Sequence, residues 1–307
     1  MKMKLAAVVL WYNPIEIGEE KIIQNILSYH SYCEKNYIVD NSSDLHEELA
    51  KKIPNSIYIS NKNVGGIAGG QNRGCERALN DGFEWAMTMD QDSIFEPEQI
   101  KEYIRLVEEY IPTDEKAVSF GPDIKCVNGK LHWTKWIKFN ILSPIKRKIL
   151  GKRWKPHPPK PNIELVERLI ASSNIINLKK WKEVDGFDEF LFIDEVDYDF
   201  CHKLVKAKYK IIKFNQVYLN QNFGDGQKFS LFRKRTLSYS SFRLYYIFRN
   251  AFTERYRFPE YKEFYDELIK MFFIDNCVNN MSLIKNFKIY KKAKSDFKDY
   301  VRTEGTK

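Results

Sequence analysis

The chain has 307 residues, of which 43% are hydrophobic and 15% aromatic, enough for one large globular domain or a domain with an appendage. This composition excludes an intrinsically disordered chain. The five cysteines form no CxxC pair and are odd in number, which argues against a disulfide scaffold and predicts reduced thiols in the cytoplasm. No window of about 20 apolar residues predicts a transmembrane helix. The short apolar run at the N-terminus is predicted to be a first strand rather than a signal peptide.

The net charge of +9 is unevenly distributed along the chain. Residues 226–307 contain 18 Lys and Arg against 9 Asp and Glu, which accounts for the whole surplus. The sequence therefore predicts a neutral catalytic or binding domain over the first 225 residues, followed by a basic appendage that meets an anionic partner.

Strand and helix patterns alternate along the first ninety residues. The predicted strands are 4–10, 37–40, 57–60 and 84–89, and the predicted helices are 16–30, 44–53 and 68–80. This alternation predicts a parallel sheet with helices on its faces. In such sheets, ligands bind at the carboxyl ends of the strands.

Polar side chains follow each of these four strands. They are Tyr12 and Asn13, Asp40 and Asn41, Asn61 and Asn63, and Asp90 and Asp92. Asn and Asp are also common turn residues, but four successive strand ends of this kind favour a site. The segment 90-DQD-92 follows an apolar strand, and two carboxylates at i and i+2 can face one hard cation such as Mg²⁺ or Mn²⁺.

A glycine-rich segment, 61-NKNVGGIAGGQNRG-74, opens the predicted helix over 68–80. The four glycines at 65, 66, 69 and 70 let the main chain approach a ligand closely and adopt positive φ, and a helix N-terminus favours anions. The segment fits neither G-x-x-x-x-G-K-[ST] nor G-x-G-x-x-G, and tight helix–sheet packing is the alternative explanation. Asn72 and Arg73 add polar groups that such packing does not require.

An acidic segment, 194-DEVDYD-199, directly follows the apolar residues 190-FLFI-193. One explanation is a well-capped helix, since acidic residues stabilise a first turn. Crowded carboxylates beside apolar residues can also raise one pKa into the range of a general base. The sequence contains no nucleophile signature such as G-x-S-x-G and no His spacing suited to zinc.

The remaining sequence is less regular. A helix is predicted to begin at Pro97, and a strand with a turn over 117–124. Residues 130–162 are irregular, basic and rich in Trp and Pro, which is typical of a functional lid or of a disordered segment. Residues 163–225 are again predicted to be ordered. Residues 230–300 show a mainly helical pattern with clustered aromatic side chains.

In this order, the segments VVLWYN, VDN, NKNVGGIAGGQNRG, WAMTMDQDS and FIDEVD resemble the inverting family 2 glycosyltransferases of GT-A fold. The similarity is greatest to a bacterial rhamnosyltransferase-like branch. It extends over roughly residues 4–225 and continues more weakly through 243-RLYYIFRN-250. It implies a Rossmann-like, mostly parallel sheet flanked by helices over 1–225, with a nucleotide-binding half at about 1–95 and an acceptor half at about 115–225. Residues 226–307 would be a helical C-terminal extension.

The resemblance implies metal-dependent, inverting hexosyl transfer from a nucleotide-diphosphate sugar. The donor would be dTDP-rhamnose or a UDP-sugar, and the acceptor a saccharide of bacterial O-antigen, capsule or cell-wall synthesis. Residues expected to contact the nucleotide are Trp11, Tyr12, Asn13, Asp40, Asn63, Gly65, Gly66, Asn72, Arg73, Asp90 and Gln91. Asp92, together with Asp90, would hold Mg²⁺ or Mn²⁺. Asp194, or else Glu195, would deprotonate the acceptor hydroxyl, while Asp197 would support the start of the helix.

One position departs from the family pattern. Many GT-A relatives carry a metal-binding His where this chain has Gln221, in the segment 221-QNFG-224. Gln is a weaker ligand for a transition metal. Either Asp92 and the diphosphate hold the metal alone, or metal dependence is reduced.

The basic, aromatic residues 226–307 suit an acceptor carried on a polyprenyl diphosphate at an anionic membrane surface. The protein would then be cytoplasmic and peripheral on the inner face of the plasma membrane. An ordinary helical extension with a solvated basic face is the alternative, and the two can coexist. A homodimer is left open.

Two other functions are weighed against the transferase. The run 87-MTMDQDS-93 also resembles the motif of haloacid dehalogenase-like phosphatases, in which Asp90 would be the nucleophile, but that motif usually begins its fold. A nucleic-acid-binding protein would explain the basic C-terminal region. Because the sequence contains no recognised nucleic-acid module, we expect no nucleic-acid partner.

Overall fold

The computed structural model describes residues 3–126, 161–221, 227–228, 236–237, 239–274, 276 and 283–304. The chain divides into two compact units, one formed by Met1–Val127 with Asn162–Asn222 and the other by Asn128–Pro161 with Phe223–Lys307. The irregular segment predicted over 130–162 lies outside the described residues, except for its last two positions.

The first unit contains one eight-stranded sheet. Its strands are β1 Leu5–Trp11, β2 Lys35–Asp40, β3 Ser56–Ser60, β4 Trp85–Asp90, β5 Ala117–Cys126, β6 Ile163–Val166, β7 Asn174–Asn177 and β8 Lys210–Gln221. Their order in the sheet is β3-β2-β1-β4-β7-β5-β8-β6. The first four are parallel neighbours, and β7 is antiparallel to both β4 and β5. Therefore β5, with its parallel neighbour β8, runs in the same direction as β1–β4.

Helices flank this sheet. They are α1 Glu19–Leu27, α2 Glu47–Ala50, α3 Gly66–Asn80, α4 Pro97–Tyr110, α5 Leu178–Glu183 and α6 Val196–Lys206. The helix predicted over 44–53 is only one turn long, because Lys52 and Ile53 close i→i+3 hydrogen bonds just before a proline. The α/β class, the mostly parallel sheet and the flanking helices are as the sequence predicts.

The core lies on both faces of the sheet, and β1 shows this most clearly. All seven of its residues are buried, and alternate residues belong to different apolar clusters. Val9 packs on the face covered by α1 and α4, while Val8 packs on the face covered by α3 and α6. A strand buried on both faces is continuously apolar, and only its ends can present polar groups.

The second unit is mainly helical. Its helices are α7 Ser241–Arg257, α8 Lys262–Phe273 and α9 Leu283–Glu304, and a short antiparallel pair joins β9 Gln227–Lys228 to β10 Thr236–Leu237. Helix α7 packs against both α8 and α9 around Phe248, Phe252 and Tyr265. The predicted helical C-terminal region is thus confirmed. Of the helices that the structure describes, none combines the length and the apolar character needed to cross a membrane.

Candidate active site

The carboxyl ends of β1–β4 meet at one edge of the sheet, as the sequence predicts. The amide of Asn41, just after β2, donates to the carbonyl of Trp11 at 2.8 Å. The amide of Asn61, just after β3, donates to the carbonyl of Asp40 at 2.8 Å. Because parallel register aligns these strands, their polar continuations form one contiguous surface.

The side chain of Gln91, just after β4, hydrogen-bonds to the main chain just after β1. The amide of Tyr12 donates to Gln91 Oε1 at 2.8 Å, and Gln91 Nε2 donates to the carbonyl of Tyr12 at 2.9 Å. The main chain of Asn13 has positive φ, and its amide donates to Ser42 Oγ at 2.7 Å. Tyr12 itself is 55% exposed, so its ring is available at the edge for stacking.

Two of the predicted nucleotide contacts lie beneath this surface. Trp11 is fully buried in the core, and Asp40 is only 1% exposed. Burial acts to raise the pKa of Asp40, but hydrogen bonds outweigh it and lower the pKa below its ordinary value. The donors are Ser42, His46 and Tyr58. Both residues therefore support the surface from below, with Asp40 held as a carboxylate.

Asp90 is tied to two elements that the sequence does not place beside it. Its Oδ2 accepts hydrogen bonds from Ser172 Oγ and from Gln221 Nε2, each at 2.7 Å. Ser172 precedes β7, and Gln221 ends β8. The hydroxyls of Ser93 and Ser172 also lie 3.0 Å apart. The edge around Asp90 is therefore closed by residues from the middle and the end of the first unit.

The surroundings of Asp92 disfavour an isolated negative charge. Burial, together with the negative charge of Asp90, raises the pKa of Asp92 to about 7. Oxygen ligands of this kind suit Mg²⁺ or Mn²⁺, and Mg²⁺ commonly takes one or two carboxylates and completes its shell with substrate phosphates and water. Gln221 Oε1 is buried nearby with no hydrogen-bond partner among the described residues. Within the same residues no group of three His, Cys, Asp or Glu side chains forms a metal cluster. The two aspartates fit a cation shared with a substrate, rather than a fully protein-ligated one.

The glycine-rich segment forms a strained entry into α3. Asn63, Gly65 and Gly66 all have φ between 58° and 68°. A Cβ at Gly66 would lie 2.3 Å from the carbonyl oxygen of Phe192, whose oxygen accepts the Ile67 amide at 2.7 Å. Glycine is therefore required at position 66 for two reasons: its φ is positive, and the main chain at Phe192, just before the acidic segment, lies too close to leave room for a side chain.

Asn72 and Arg73 differ in their surroundings. Asn72 is held by the turn that precedes the acidic segment: its Nδ2 donates to the carbonyl of Phe187 at 2.8 Å, and its Oδ1 accepts the Phe187 amide at 2.9 Å. Asn72 thus docks this turn on α3, whereas Arg73 is exposed on the surface of the helix. Of the two, only Arg73 presents an open polar group.

The acidic segment reaches the same edge of the sheet in a strained conformation. Phe192, Asp194 and Glu195 all have positive φ, although none is glycine. Of the ten such residues in the described part of the chain, seven lie in loops at this edge: Asn13, Lys62, Asn63, Ser173, Phe192, Asp194 and Glu195. Backbone strain of this kind costs about 1–3 kcal/mol per residue and concentrates at functional sites.

Asp197 lies on the first turn of α6 and faces the Asp90 region. Its Oδ2 accepts the amide of Ala171 at 3.2 Å, and its Oδ1 accepts the amide of Tyr198 at 3.1 Å. Burial raises the pKa of Asp197 to about 7; the charge of Asp90 adds to the rise, and main-chain hydrogen bonds oppose it. Asp197 therefore joins α6 to the segment before β7, in addition to its place at the helix start.

Three features of the site were not predicted from the sequence: the contact of Ser172 with Asp90, the hydrogen bond from Gln221 to Asp90, and the electrostatic link between Asp197 and Asp90. A signal for Ser172 existed in 171-ASSN-174, where small polar residues stand directly before an apolar strand. It could not be interpreted without knowing that β7 is antiparallel and so begins at the carboxyl edge of β4.

Comparisons with known proteins agree with this architecture. Residues 20–159, a little under half of the chain, match the family model described as glycosyl transferase family 2. No curated protein matches the chain in sequence. The crystal structure of S. aureus TarS 1-349 in complex with UDP-GlcNAc is similar, with 16% identity, coverage of 96% of this chain and 80% of that chain, and a TM-score of 0.54. The crystal structure of GalNAc-T7 with UDP, GalNAc and Mn²⁺ shares 11% identity, with coverage of 72% and 43% and a TM-score of 0.53.

These likenesses concern the fold. The chain spans 43% of GalNAc-T7 and 39% of a longer TarS crystal structure, to which its TM-score is 0.49 at 17% identity with 82% of this chain covered. The family model therefore matches part of the chain, and the solved structures are similar to it in fold.

Proposed function

We propose that this chain is an inverting family 2 glycosyltransferase that moves a hexose from a nucleotide-diphosphate sugar to a saccharide acceptor. One observation carries the proposal. The Asp90–Asp92 pair lies at the carboxyl edge of parallel strands, at the same edge as a strained acidic segment, Phe192–Asp197. Such an edge is where α/β sheets bind ligands, and two sets of carboxylates there suit two separate tasks.

The first task is to bind the donor. We assign the nucleotide to the surface formed by Tyr12, Asn13, Asn63 and the glycines at the start of α3, with Arg73 as an additional cation. The positive end of the dipole of α3, a helix of 15 residues, lies beside this surface, although the Ile67 amide there donates to the Phe192 carbonyl rather than to a ligand. Trp11 and Asp40 stabilise this surface from beneath, Gln91 fixes its register, and Asn72 holds the neighbouring turn.

Asp92 and Asp90 would hold Mg²⁺ or Mn²⁺ at the donor diphosphate. When bound, such an ion neutralises the negative charge of the leaving diphosphate. The raised pKa of Asp92 supports this role, because a carboxylate pair that repels itself gains most from a shared cation.

The second task is to activate the acceptor. Asp194 or Glu195 would take the proton of the acceptor hydroxyl, whose oxygen attacks C1 of the sugar on the face opposite the diphosphate. The new C1–O bond forms as the C1–O bond to the diphosphate breaks, which inverts the configuration at C1. Both residues lie in the strained turn before α6, which holds them at the edge independently of helix capping.

The two regions predicted from the sequence have separate proposed roles. We assign catalysis to residues 1–225, with the donor half at about 1–95 and the acceptor half at about 115–225. We assign residues 226–307 to contact with an anionic membrane surface on the cytoplasmic face, where the acceptor would be carried on a polyprenyl diphosphate. The excess of Lys and Arg in this region supports the assignment. The donor is dTDP-rhamnose or a UDP-sugar in the synthesis of bacterial surface polysaccharide.

A donor screen tests the proposal. Purified protein would be incubated with UDP-glucose, UDP-galactose, UDP-GlcNAc and dTDP-rhamnose, each with Mn²⁺ or Mg²⁺, and release of nucleoside diphosphate would be measured. We expect hydrolysis of one donor that is lost in Asp92→Asn and retained in Asp114→Asn. Asp114 is a matched aspartate that pairs with Lys210 at the opposite edge of the sheet. Release from no donor, with Asp90-dependent hydrolysis of p-nitrophenyl phosphate, would favour the phosphatase alternative instead.

A further inference from the structure

The helical unit contains a cavity that the transferase chemistry does not use. It has a volume of about 790 Å³, and the described residues that line it belong to α7, α8, α9 and the turn between α7 and α8. Cavities of about 300–1,000 Å³ are typical of small-molecule sites. The cavity therefore has the size of a ligand site within the second unit alone.

A continuous row of aromatic rings forms its apolar wall. Successive ring centroids are 5.1–6.3 Å apart in the order Tyr256, Phe297, Phe252, Tyr290, Phe273, Phe287. The two ends of the row are open, since Tyr256 is 49% and Phe287 39% exposed. The aromatic row therefore reaches solvent at both of its ends.

Basic side chains stand around this wall, and they are not equally neutralised. Arg255 pairs with Asp266 at 2.6 Å, and Lys270 lies 3.6 Å from Glu267. Lys262 and Lys294 also line the cavity, and within the described residues neither has an ion pair. Both lysines are exposed, so their ammonium groups are available to an anionic ligand at the cavity.

The chemistry of the lining selects the class of ligand. Apart from the two tyrosine hydroxyls, the polar side chains among the described lining residues are all charged, and none is an amide, a serine, a threonine or a histidine. An apolar chain gains from contact with the aromatic row, and a phosphate gains from contact with lysines that have no ion pair among the described residues.

We propose that this cavity binds a lipid phosphate, with its apolar chain along the aromatic row and its phosphate between Lys262 and Lys294. The inference goes beyond the proposed transferase activity and does not depend on it, because binding is measured without any donor. This binding differs from general attraction to an anionic membrane, because its affinity would depend on Lys262, Lys294 and the aromatic row.

Isothermal titration of the full chain with farnesyl phosphate, below its critical micelle concentration, tests the proposal. We expect one site per chain, with farnesol binding roughly tenfold or more weaker and inorganic phosphate failing to compete at equal concentration. The double variant Lys262→Gln, Lys294→Gln should lose roughly tenfold in affinity for farnesyl phosphate. The matched pair Lys285→Gln, Lys298→Gln removes two exposed lysines of α9 outside the cavity and should bind like the unmodified chain.

A second variant tests the wall separately from the charges. Phe287→Ser alters a partly exposed ring, so the fold should survive, as circular dichroism would verify, and affinity should fall about fivefold or more. Equal losses in both lysine pairs would assign binding to diffuse surface charge and overturn the proposal. It would also be overturned by equal binding of farnesol, by tighter binding of glucose 1-phosphate, or by no binding of farnesyl phosphate.

Discussion

Gln221 Nε2 donates a 2.7 Å hydrogen bond to Oδ2 of Asp90, and so joins the end of β8 to the end of β4. The two residues are 131 positions apart in the chain. The resemblance to GT-A glycosyltransferases predicts a metal-binding histidine at this position, and Gln221 stands there instead. Gln221 thus orients a carboxylate of the site directly, whether or not its own oxygen reaches a cation.

Removing this hydrogen bond should weaken metal binding. We expect Gln221→Ala to lower Mn²⁺ affinity about tenfold, since partners that orient a ligand typically contribute this much. Gln221→His should instead bind Mn²⁺ more tightly than the native chain, because imidazole is the better ligand. Mn²⁺ titration followed by electron paramagnetic resonance, in the presence of UDP, measures both.

Gln99→Ala is the control for these variants, because Gln99 accepts a hydrogen bond from the β8 main chain at Tyr218 but does not contact Asp90. If Gln221→Ala and Gln99→Ala bound Mn²⁺ equally well, the orienting role of Gln221 would be wrong.

The start of α3 should tolerate no side chain at Gly66. Gly66→Ala would place a Cβ 2.3 Å from the Phe192 carbonyl oxygen and keep a left-handed backbone. We expect a loss of about 2–4 kcal/mol in the free energy of unfolding, the sum of overpacking and backbone strain. Urea denaturation provides the measurement.

Gly82→Ala separates the two causes. Gly82 also has positive φ, but a Cβ there would meet only the flexible Lys4 ammonium, at 3.9 Å. Its expected loss is about 1 kcal/mol. Equal losses in the two variants would show that contact with Phe192 does not constrain Gly66.

The pH dependence of stability should report on Asp197. Because its pKa is raised in the folded protein to about 7, the folded state holds a proton that the unfolded state has already lost above pH 4. This contribution to stability is complete below about pH 4 and is lost as the pH rises through about 7. In metal-free protein, melting temperatures should therefore fall across this window less steeply for Asp197→Asn than for the native chain.

Asp185→Asn offers a comparison for this pH series, since Asp185 lies in the turn after α5 rather than at the sheet edge. If the melting temperature of Asp197→Asn fell with pH as steeply as that of the native chain, burial beside Asp90 would not raise the pKa of Asp197.

The sequence predicts the elements around Asp90 and Asp92 well, for a physical reason. Strands β1–β4 are consecutive in the chain and lie side by side in the order β3-β2-β1-β4, so alternation and polar strand ends suffice to place Asp40, Asp90 and Asp92 at one edge. The role of Gly65 and Gly66 is also predictable from local sequence, because both positions need positive φ.

The other side of the site depends on long-range pairing that periodicity does not encode. Insertion of β7 between β4 and β5 reverses one strand and brings Ser172 to Asp90. Burial is equally hidden in the sequence: Trp11 is expected to contact the nucleotide, yet it lies in the core because every residue of β1 is covered on both faces. The link from Asp197 to Asp90 likewise arises only after β7 and α6 are packed together.

The central claim is that the Asp90–Asp92 edge binds a nucleotide diphosphate with a divalent cation. Isothermal titration of UDP, and of dTDP, in the presence of Mn²⁺ tests it most directly, with Asp92→Asn and the matched Asp114→Asn beside the native chain. We expect the nucleotide affinity of Asp92→Asn to be lower by about tenfold or more. Its melting temperature without metal should stay equal or rise, because the substitution removes a buried charge that Asp90 repels. Native-like nucleotide affinity in Asp92→Asn, or its unfolding, would contradict the account and give these carboxylates a structural role.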